Sequence, residues 1–370
     1  MTRADSQRPA IPTLPEVARE AGVSTATAAR ALGGYGSVSE RTRTRVSEAA
    51  ERIGYRTNAL ARSMITGRTR TFGVIFPDIE NSFFAKAFRG ISAVARANGY
   101  EGLLIDTDED SDTERAALRA LSERRVDGLI IAPTDRATPD LFAEFLGPDV
   151  PIVLLDRELK GLEADVVIVN NSTAAKDATR KLLELGHTRI ALLTGADAEM
   201  LKGLTSPRSP RSTATGVSTT FQRTLGYRQA LREGGIDFRK DLVSAEGFRA
   251  DQAADATKNL MALDDPPTAI LALDSMLALG VLTGLHELGL KCPRDVSLIG
   301  FDDTDWAPFV TPPLTVVQQP VYDLGAEACR LLVSRMEGSA REPIRRILPT
   351  RFIQRRSISR PQSHGIGTTS

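Results

Sequence analysis

Cysteine, histidine and tryptophan are scarce in this chain of 370 residues, and each shortage excludes a class of site. The two cysteines, Cys292 and Cys329, are far apart and lack a CxxC spacing. We therefore expect reduced core thiols of a cytoplasmic protein and not a disulfide or a redox pair. The three histidines are isolated from one another and from the cysteines, which argues against a metal site. We expect no metal and no cofactor.

Long apolar runs are also missing. No stretch of eighteen apolar residues is present, which argues against a membrane span. The N-terminus has no apolar signal core, because Ile11 and Leu14 stand beside prolines, and this argues against secretion. The motifs GxGxxG, GK[S/T] and GxSxG are absent too, so the sequence does not favour an enzyme.

Positive charge is concentrated at the start of the chain. Up to Arg70 there are twelve arginines, no lysine and six acidic residues, which leaves +6, whereas the whole chain is neutral. A basic head on a mildly acidic body is typical of a nucleic-acid-binding module joined to another domain. The guanidinium fork binds phosphate or guanine through two hydrogen bonds, so an all-arginine head suits this role.

The segment 13–33 predicts two short helices joined by a tight turn. Thr13 and Glu16 have the spacing of a capping box, and Gly22 permits the turn. Ser24 is a good cap for a second helix over Thr25–Leu32. This spacing fits a helix-turn-helix, whose second helix lies in the major groove of DNA. The alternative is an ordinary helical hairpin.

A third helix is predicted after Ser39, which is a suitable cap. Val46, Ala50 and Ile53 fall on one face at helical spacing and can close a small core over the first two helices. Three helices with a basic surface favour a DNA-binding domain over the hairpin alternative.

From Thr71 onward, apolar strands alternate with amphipathic helices. The first strand is FGVIFP, and the pattern restarts after VVIVNN at 166–171. This alternation predicts α/β structure with two doubly wound parallel-sheet lobes in tandem. Ligands in such sheets bind beyond the carboxyl ends of the strands, so we expect a ligand cleft between the lobes that closes by a hinge motion.

Motifs in the same order identify a family resemblance over roughly residues 11–357. They are LPEVAREAGVSTATAARAL, VSERTRTRVSEAAERIGYRTNALARSM, TGRTRTFGVIFPDIENSFF, RRVDGLIIAP, LGHTRIALLTG, VSLIGFDD and PPLTVVQQP. The chain resembles the lactose/galactose-repressor family of bacterial transcription regulators. This resemblance implies an effector-controlled homodimeric or tetrameric repressor whose body is similar to periplasmic sugar-binding proteins.

The expected domain organisation follows from the composition and the resemblance together. It comprises a disordered N-terminus at 1–10, a helix-turn-helix domain at 11–57, a hinge helix and linker at 58–70, a two-lobed effector-binding and dimerisation domain at 71–357, and a disordered tail at 358–370.

The resemblance places base-reading positions on the second helix, at Thr25, Ala26 and Arg30. Arg30 is the strongest candidate, because arginine pairs bidentately with guanine. Thr25 is equally well explained as an ordinary first-turn residue. Thr27 completes the expected contacts of this helix. Ala29 departs from the family, in which a phosphate-contacting Ser is frequent.

The segment 58–66 resembles the family's hinge helix, which forms when two copies meet over the operator. Asn58 is expected to cap it, Arg62 to contact DNA, and Met64 to act as the minor-groove wedge in place of the family's Leu. The alternative is a bare linker helix.

For the effector site, the resemblance implies one set of residues: Phe83, Phe84, Asp156, Arg157, Thr219, Arg223, Asp274, Ser275 and Trp306. The rings would stack on a flat ligand, and Arg223 would hold hydroxyl or carboxylate groups. Phe84 is equally well explained as core, and Trp306 as plain packing. Most members have Asn-Asp where this chain has Asp274-Ser275, which weakens a default sugar assignment.

An insert at 198–218, rich in Ser, Thr, Pro and Arg, replaces a short loop of the family. A surface insertion without order is one interpretation. The other is a lid, or a contact of Arg208 and Arg211 with an anionic effector such as a sugar phosphate.

The leading hypothesis for function is a repressor of sugar or other carbon-source genes. It would bind a palindromic double-stranded operator as a homodimer, under control of a sugar-like effector. The absence of leucine-zipper heptads at the C-terminus favours a dimer over a tetramer. One alternative is a small-molecule sensor that acts mainly through a protein partner or as an activator. Another is an enzyme on a doubly wound scaffold, which the missing motifs disfavour.

Overall fold

A computed structural model describes residues 12–33, 35–55, 67–134, 138–147, 149–195, 216–245 and 249–362. It divides into two compact units. Met1–Arg70 with Arg125–Asp127 form one unit, and the remainder of the chain forms the other. The hinge-helix residues Asn58, Arg62 and Met64 lie outside the described residues, as do Arg208 and Arg211 of the insert.

The described residues of the first unit form three helices: α1 (Leu14–Glu20), α2 (Thr25–Gly33) and α3 (Glu40–Arg52). The predicted capping box is present, since the Thr13 amide donates to Glu16 Oε2 at 2.7 Å. Ser24 and Ser39 cap the next two helices as expected. The amide of Thr27 donates to Ser24 Oγ at 3.1 Å, and that of Thr42 donates to Ser39 Oγ at 3.3 Å.

Small side chains form the core of this unit. The buried set is Val17, Ala18, Ala21, Ala28, Ala31, Val46, Ala49 and Ala50, with Ile53 packed against it. Alanines allow the helix axes to approach closely, which is how three short helices bury a common core. The predicted apolar face of the third helix, Val46, Ala50 and Ile53, is confirmed.

The second unit contains two lobes, each built on a six-stranded sheet. The first lobe has the strand order β13-β6-β4-β3-β1-β2, and all its neighbouring strands run parallel. Its strands are β1 (Thr71–Phe76), β2 (Glu101–Asp106), β3 (Leu129–Ile131), β4 (Ile152–Leu155), β6 (Asp165–Val169) and β13 (Arg345–Leu348). Its helices are α4 (Ser82–Ala97), α5 (Ser111–Glu123), α6 (Pro139–Phe145) and α11 (Val321–Met336).

The second lobe has the order β14-β12-β11-β10-β7-β9, with β14 antiparallel to β12. Its strands are β7 (Ile190–Thr194), β9 (Val243–Ala245), β10 (Ala269–Ala272), β11 (Ser297–Phe301), β12 (Thr315–Gln318) and β14 (Arg351–Ile353). Its helices are α7 (Asn171–Glu184), α8 (Thr219–Glu233), α9 (Ala250–Met261) and α10 (Ser275–Glu287), with a 3₁₀ turn at Lys240–Leu242. A small antiparallel pair joins β5 (Glu158–Leu159) to β8 (Gly216–Val217).

Central strands such as β1, β3 and β11 are buried along most of their length, as expected for parallel strands covered on both faces. The two-lobe α/β fold is therefore confirmed. The expected tandem arrangement is wrong, because the chain crosses between the lobes three times. It crosses after β6, again between β12 and α11, and finally between β13 and β14.

The return of α11 to the first lobe rests on a close helix crossing. A Cβ on Gly325 would lie 1.9 Å from the carbonyl oxygen of Ala87, and one on Gly90 would lie 2.1 Å from that of Tyr322. Only glycine permits this separation, so α11 and α4 pack backbone to backbone. Leu324 and Leu332 of α11 join Phe72 in the core of the first lobe. The alternation of strands and helices along the sequence does not indicate that α11 belongs to the first lobe.

Two boundaries differ from the sequence expectation. The local sequence pattern predicts a helix over Leu225–Glu233, but helix α8 begins six residues earlier, at Thr219. Phe221 and Arg223 gain burial there that local helix propensity does not show. The ordered chain also continues past 357. Ile358 packs on the second lobe, and the Ser359 amide donates to Ser297 Oγ at 3.0 Å. This corrects the expected start of the disordered tail at 358.

Both cysteines are free, and burial raises the pKa of each thiol to about 12. Such thiols are poor nucleophiles and poor redox groups. Within the described ranges, no helix is both long and apolar enough to cross a bilayer. The same part of the chain holds no group of three or more His, Cys, Asp or Glu residues placed to bind a metal ion.

Candidate functional site

Helix α2 presents one face to solvent and the other to the core of its unit. Ala28 and Ala31 are buried, whereas Thr25, Ala26 and Arg30 are exposed. Three of the proposed DNA contacts therefore lie on the accessible face. An exposed guanidinium, a methyl and a hydroxyl on one helix face can reach base edges in a major groove.

Thr27, unlike Thr25, Ala26 and Arg30, is not fully exposed on this helix face. Its hydroxyl hydrogen bonds with Ser24 Oγ at 2.8 Å, and Arg30 Nη2 donates to Thr27 Oγ1 at 3.5 Å. Thr27 is half-buried and belongs to the cap of the helix. Thr27 thus lies beside Arg30, and its predicted contact with DNA stays a prediction.

The second unit contains a cavity of about 400 Å³ between its two lobes. The first lobe supplies Asp78, Asn81, Phe83, Phe84, Asp108, Glu109, Asp156 and Arg157; the second supplies Thr219, Thr220, Arg223, Arg249, Gln252, Asp274 and Asp302; Gln319 comes from a crossing segment. Many of these residues follow the carboxyl ends of strands, where a doubly wound sheet places its ligands. The expected cleft is present.

Three buried aspartates stand at strand ends around the cavity. Asp156 follows β4 and Asp302 follows β11, and their φ values of 65° and 69° put both in the left-handed region. Asp274 follows β10 and caps α10, where its Oδ1 accepts from the Met276 amide at 2.7 Å. Aspartate tolerates the left-handed conformation better than most residues, but the conformation is still strained.

Arg223 is fixed by three contacts of different kinds. Its Nε donates to Asn171 Oδ1 at 2.8 Å and its Nη1 to the Leu273 carbonyl at 2.7 Å. The guanidinium also lies 4.4 Å from the centre of the Phe301 ring. Nη2 makes no hydrogen bond to any described residue. The group is thus held rigidly with one donor edge left for a ligand.

Electrostatics link this arginine to the three carboxylates. Burial raises the pKa of Asp156, of Asp274 and of Asp302, the last to about 7. The positive charge of Arg223 opposes the shift at each of them. The carboxylates are desolvated, and Arg223 is the cation that acts on all three, with Arg157 also acting on Asp156. Such a combination is typical of functional sites.

Phe83 and Phe84 begin α4 and line the cavity. Their rings meet edge to face with centroids 5.1 Å apart, and Phe84 also packs on Phe76 at 5.0 Å. Both are buried in the core of the first lobe as well. Phe84 is therefore both a core residue and a lining residue of the cavity, because one part of its ring packs in the first lobe and another faces the cavity.

Arg157 is already engaged within the protein. Its Nη1 donates to Glu109 Oε2 at 2.8 Å and to the Pro133 carbonyl at 3.1 Å. It lines the cleft as part of an ion pair. Thr219 also lines the cleft, in the first turn of α8.

Ser275 and Trp306 are not among the residues that line this cavity. Ser275 is buried at the start of α10, one residue beyond Asp274. Trp306 packs on the core of the second lobe. The contacts favour the packing interpretation of Trp306, and Asp274 is the member of the Asp-Ser pair that faces the cleft.

Asp302, Gln319 and Asn81 also line the cleft, although no sequence pattern singled them out. Asp302 and Gln319 are hydrogen bonded to each other, with Gln319 Nε2 to Asp302 Oδ1 at 2.7 Å. Both lie in motifs that support the family resemblance, GFDD and VVQQP. The motifs indicated the family but did not indicate which of their residues lines the cleft. Asn81 caps α4 and its Nδ2 donates to Asp274 Oδ2 at 3.3 Å, which joins the two lobes across the cleft.

The fold and cleft define a two-lobed small-molecule-binding protein that carries a three-helix DNA-binding unit. Residues 13–58 match the family model described as bacterial regulatory proteins of the lacI family. Residues 179–358 match that of a periplasmic binding protein-like domain.

Three known proteins illustrate the similarity. Catabolite control protein A of Priestia megaterium is 35% identical over 88% of this chain and 92% of its own. The HTH-type transcriptional repressor CytR of Escherichia coli (strain K12) is 34% identical over 88% and 90%. A LacI family transcriptional regulator from Enterococcus faecium, solved with bound ribose, is 29% identical with a TM-score of 0.66 over 79% and 100%. The chain belongs to the lacI family of bacterial regulatory proteins, and it is a DNA-binding transcriptional repressor.

Proposed function

We propose that the protein is a homodimeric repressor that binds a palindromic operator in the cytoplasm through α2 and is controlled by a sugar bound in the cleft between its lobes. The operator contacts are assigned to Thr25, Ala26 and Arg30, and Thr27 stays a predicted contact beside Arg30. The hinge-helix roles of Asn58, Arg62 and Met64 stay predictions. No catalytic step is assigned to the cleft.

One observation carries the effector site. Asp156, only 8% exposed, has a carboxylate that makes no hydrogen bond to any described residue, and the open edge of Arg223 belongs to the same cavity. A buried acceptor and a buried donor without protein partners are costly unless a ligand or water satisfies them. Vicinal hydroxyl groups can do so, since each hydroxyl both donates and accepts.

The ring of Phe83 adds an apolar surface for the carbon face of a sugar. A cavity of about 400 Å³ is of the size that small-molecule sites have. The ribose in the Enterococcus faecium relative supports a pentose or a ligand of similar size.

Coupling to DNA requires that ligand binding change the balance between conformations of the two lobes. The lobes are joined across the cleft by Asn81 and Asp274 and by Lys86, whose Nζ donates to the Asp303 carbonyl at 3.3 Å. A ligand that contacts Asp156 of one lobe and Arg223 of the other would favour closure. The family resemblance implies that closure is transmitted to the DNA-binding unit.

The test separates ligand binding from operator binding. An operator is first selected from a random duplex library with the full-length protein, and its affinity is then measured by fluorescence anisotropy with and without D-ribose and related neutral sugars. We expect Arg223→Ala to lose the response to sugar and to keep the operator affinity, because the guanidinium lies in the cleft alone.

Arg232→Ala is the matched control, since it removes an exposed arginine from the end of the same helix. It should respond to sugar as the unmodified protein does. A normal sugar response in Arg223→Ala would refute the assignment of the cleft as the effector site.

A further inference from the structure

The cleft has an excess of negative charge. Its acidic lining residues are Asp78, Asp108, Glu109, Asp156, Asp274 and Asp302, and its basic ones are Arg157, Arg223 and Arg249. The balance matters because a desolvated site interacts strongly with the charge of its ligand.

Two of the three arginines are already neutralised within the protein. Arg157 forms an ion pair with Glu109, and Arg249 binds Asp251 through Nε at 3.1 Å and Nη2 at 2.9 Å. Arg223 is therefore the cleft arginine whose charge acts on all three of Asp156, Asp274 and Asp302, with Arg157 acting on Asp156 as well. Ionisation of the three carboxyl groups gives the centre of the cleft an excess of negative charge, because Arg157 and Arg249 are already paired with acids.

Among the described residues, several open hydrogen-bonding positions around this centre are acceptors. The carboxylate of Asp156 has no partner in the described part of the chain, and Asp302 uses one oxygen, on Gln319. Gln319 Oε1 is buried without a partner. On the donor side, the open position of Arg223 is Nη2. The complementary ligand is rich in donors and poor in negative charge.

Asp274 is the residue that creates the imbalance. The family resemblance implies Asn-Asp at positions 274 and 275, whereas here Asp274 lines the cleft and Ser275 is buried outside its lining. A carboxylate has thus replaced a neutral amide in the cavity wall. The cap on α10 does not require it, because asparagine caps helices equally well.

We propose that the cleft selects a polyhydroxylated effector that carries a protonated amine, of the amino-sugar or imino-sugar class, and rejects phosphorylated sugars. This inference rests on the proposed effector role of the cleft. A ligand ammonium group supplies the cation that the three carboxylates lack, and its N–H groups donate to Asp156 and Asp302. A phosphate would instead be buried against like charges, which is strongly unfavourable.

The raised pKa of each carboxyl fits this interpretation, because an ionised carboxylate is costly here until a cation arrives. Binding of the ammonium ligand should accordingly weaken as the pH falls below about 7, where Asp302 takes up a proton. Asp156, Asp274, Arg223 and Gln319 are the groups that act on Asp302 in this range.

The test compares three five-carbon probes by isothermal titration calorimetry on the full-length protein at pH 7.5. They are D-ribose, its cationic analogue 1,4-dideoxy-1,4-imino-D-ribitol, and D-ribose 5-phosphate. We expect the imino analogue to bind at least about tenfold more tightly than ribose, and the phosphate not to bind.

The variant Asp274→Asn keeps the helix cap and removes the extra charge. We expect it to bring the affinity ratio of the imino analogue to ribose down to about one. Ser275→Ala, at the neighbouring position outside the cavity wall, should leave the ratio unchanged.

Ribose binding that equals or exceeds that of the imino analogue would overturn this inference and leave the proposed function standing. A preference that survives in Asp274→Asn, or binding of the phosphate, would overturn it too. If none of the three probes binds and no neutral sugar affects operator affinity, the inference and the proposed effector role both fail.

Discussion

The DNA-binding unit and the effector cleft differ in how they present the side chains that recognise their ligands. In the three-helix unit the interior is formed by alanines and valines, and the recognition groups stand exposed on α2 within six residues of one another. In the cleft the central groups, such as Asp156, Arg223 and Asp302, are buried, and the lining residues come from positions as distant as 78 and 319. A phosphate surface is large and charged, so exposed groups suffice, whereas a small ligand must be desolvated to be held.

The difference has an energetic side. The contacts of α2 add little strain to their own unit, because water satisfies an exposed guanidinium. The cleft holds left-handed aspartates and desolvated carboxylates that the rest of the fold must stabilise. We therefore expect the two regions to respond to different perturbations.

The largest effect is expected where α4 and α11 cross. Gly325→Val places a side chain against the Ala87 backbone and should destabilise the second unit by about 3 kcal/mol, because backbone cannot move aside cheaply. Scanning calorimetry measures this loss, and hydrogen exchange of α1–α3 should stay unchanged. Gly147→Val is the control, since a Cβ there meets no atom within 4 Å. Equal melting of the two variants would contradict the proposed crossing.

Arg30 provides the sharpest test of the exposed surface. Arg30→Ala should weaken binding to the selected operator by about 1–3 kcal/mol and relax the preference at one base pair. Arg19→Ala removes the same charge from α1 and should weaken all sequences alike, with a salt slope reduced by about 1. Binding of an operator library by each variant distinguishes the two. An unchanged base preference in Arg30→Ala would remove Arg30 from the reading positions.

The pH dependence of stability tests the buried carboxylates. The pKa of Asp302 is about 7 in the folded protein and near 3.8 when unfolded, so the folded state binds more protons between these values. Stability should therefore fall as the pH rises towards and past 7, with a contribution of about 2 kcal/mol between pH 5.5 and 8. Asp302→Asn keeps a hydrogen-bond acceptor for Gln319 and should remove this contribution from the unfolding free energy.

The comparison of the variant with the unmodified protein is needed because other groups titrate in the same range. His187 is buried, and its Nε2 donates to the Ser359 carbonyl, while burial lowers its pKa. Its contribution has the opposite sign, since stability is lost as the pH falls through its unfolded pKa. A pH profile that is the same in both proteins would show that Asp302 is ionised throughout.

The smallest effect is expected at the cap of α2. Ser24→Ala removes the acceptor for the Thr27 amide and the partner of its hydroxyl, which costs about 1 kcal/mol. Because the same hydroxyl accepts from Arg30 Nη2, operator affinity should fall more than stability alone explains. Thermal melting and anisotropy measure the two effects. Ser47→Ala, which removes an exposed hydroxyl from α3 and leaves the cap of α2 intact, is the control.

Much of the DNA-binding unit was predictable from local signals. The capping box of Thr13 and Glu16, the caps at Ser24 and Ser39, and the apolar face of α3 depend on residues within one or two turns. The alternation of strands and helices likewise predicted two α/β lobes with a cleft. Seven of the nine effector residues inferred from the resemblance do line that cleft: Phe83, Phe84, Asp156, Arg157, Thr219, Arg223 and Asp274.

Other features depended on packing. The early start of α8 at Thr219 was missed because its first turn is rich in threonine, and burial of Phe221 and Arg223 outweighs that propensity. Asp302 and Gln319 were missed because their pairing across seventeen positions exists only when β11 and β12 are adjacent. Trp306 is placed by its contacts with the second lobe, which no motif shows.

By itself, the sequence determined the elements, the segregation of positive charge and the family, because caps, periodicity and ordered motifs act over short distances along the chain. Tertiary structure alone decided that α11 and β13 return to the first lobe, that Asp274 faces the cleft while Ser275 does not, and that three carboxylates share one arginine. The physical reason is that burial, close backbone approach and desolvated charge depend on which elements become neighbours. That choice is settled by the packing of the whole domain.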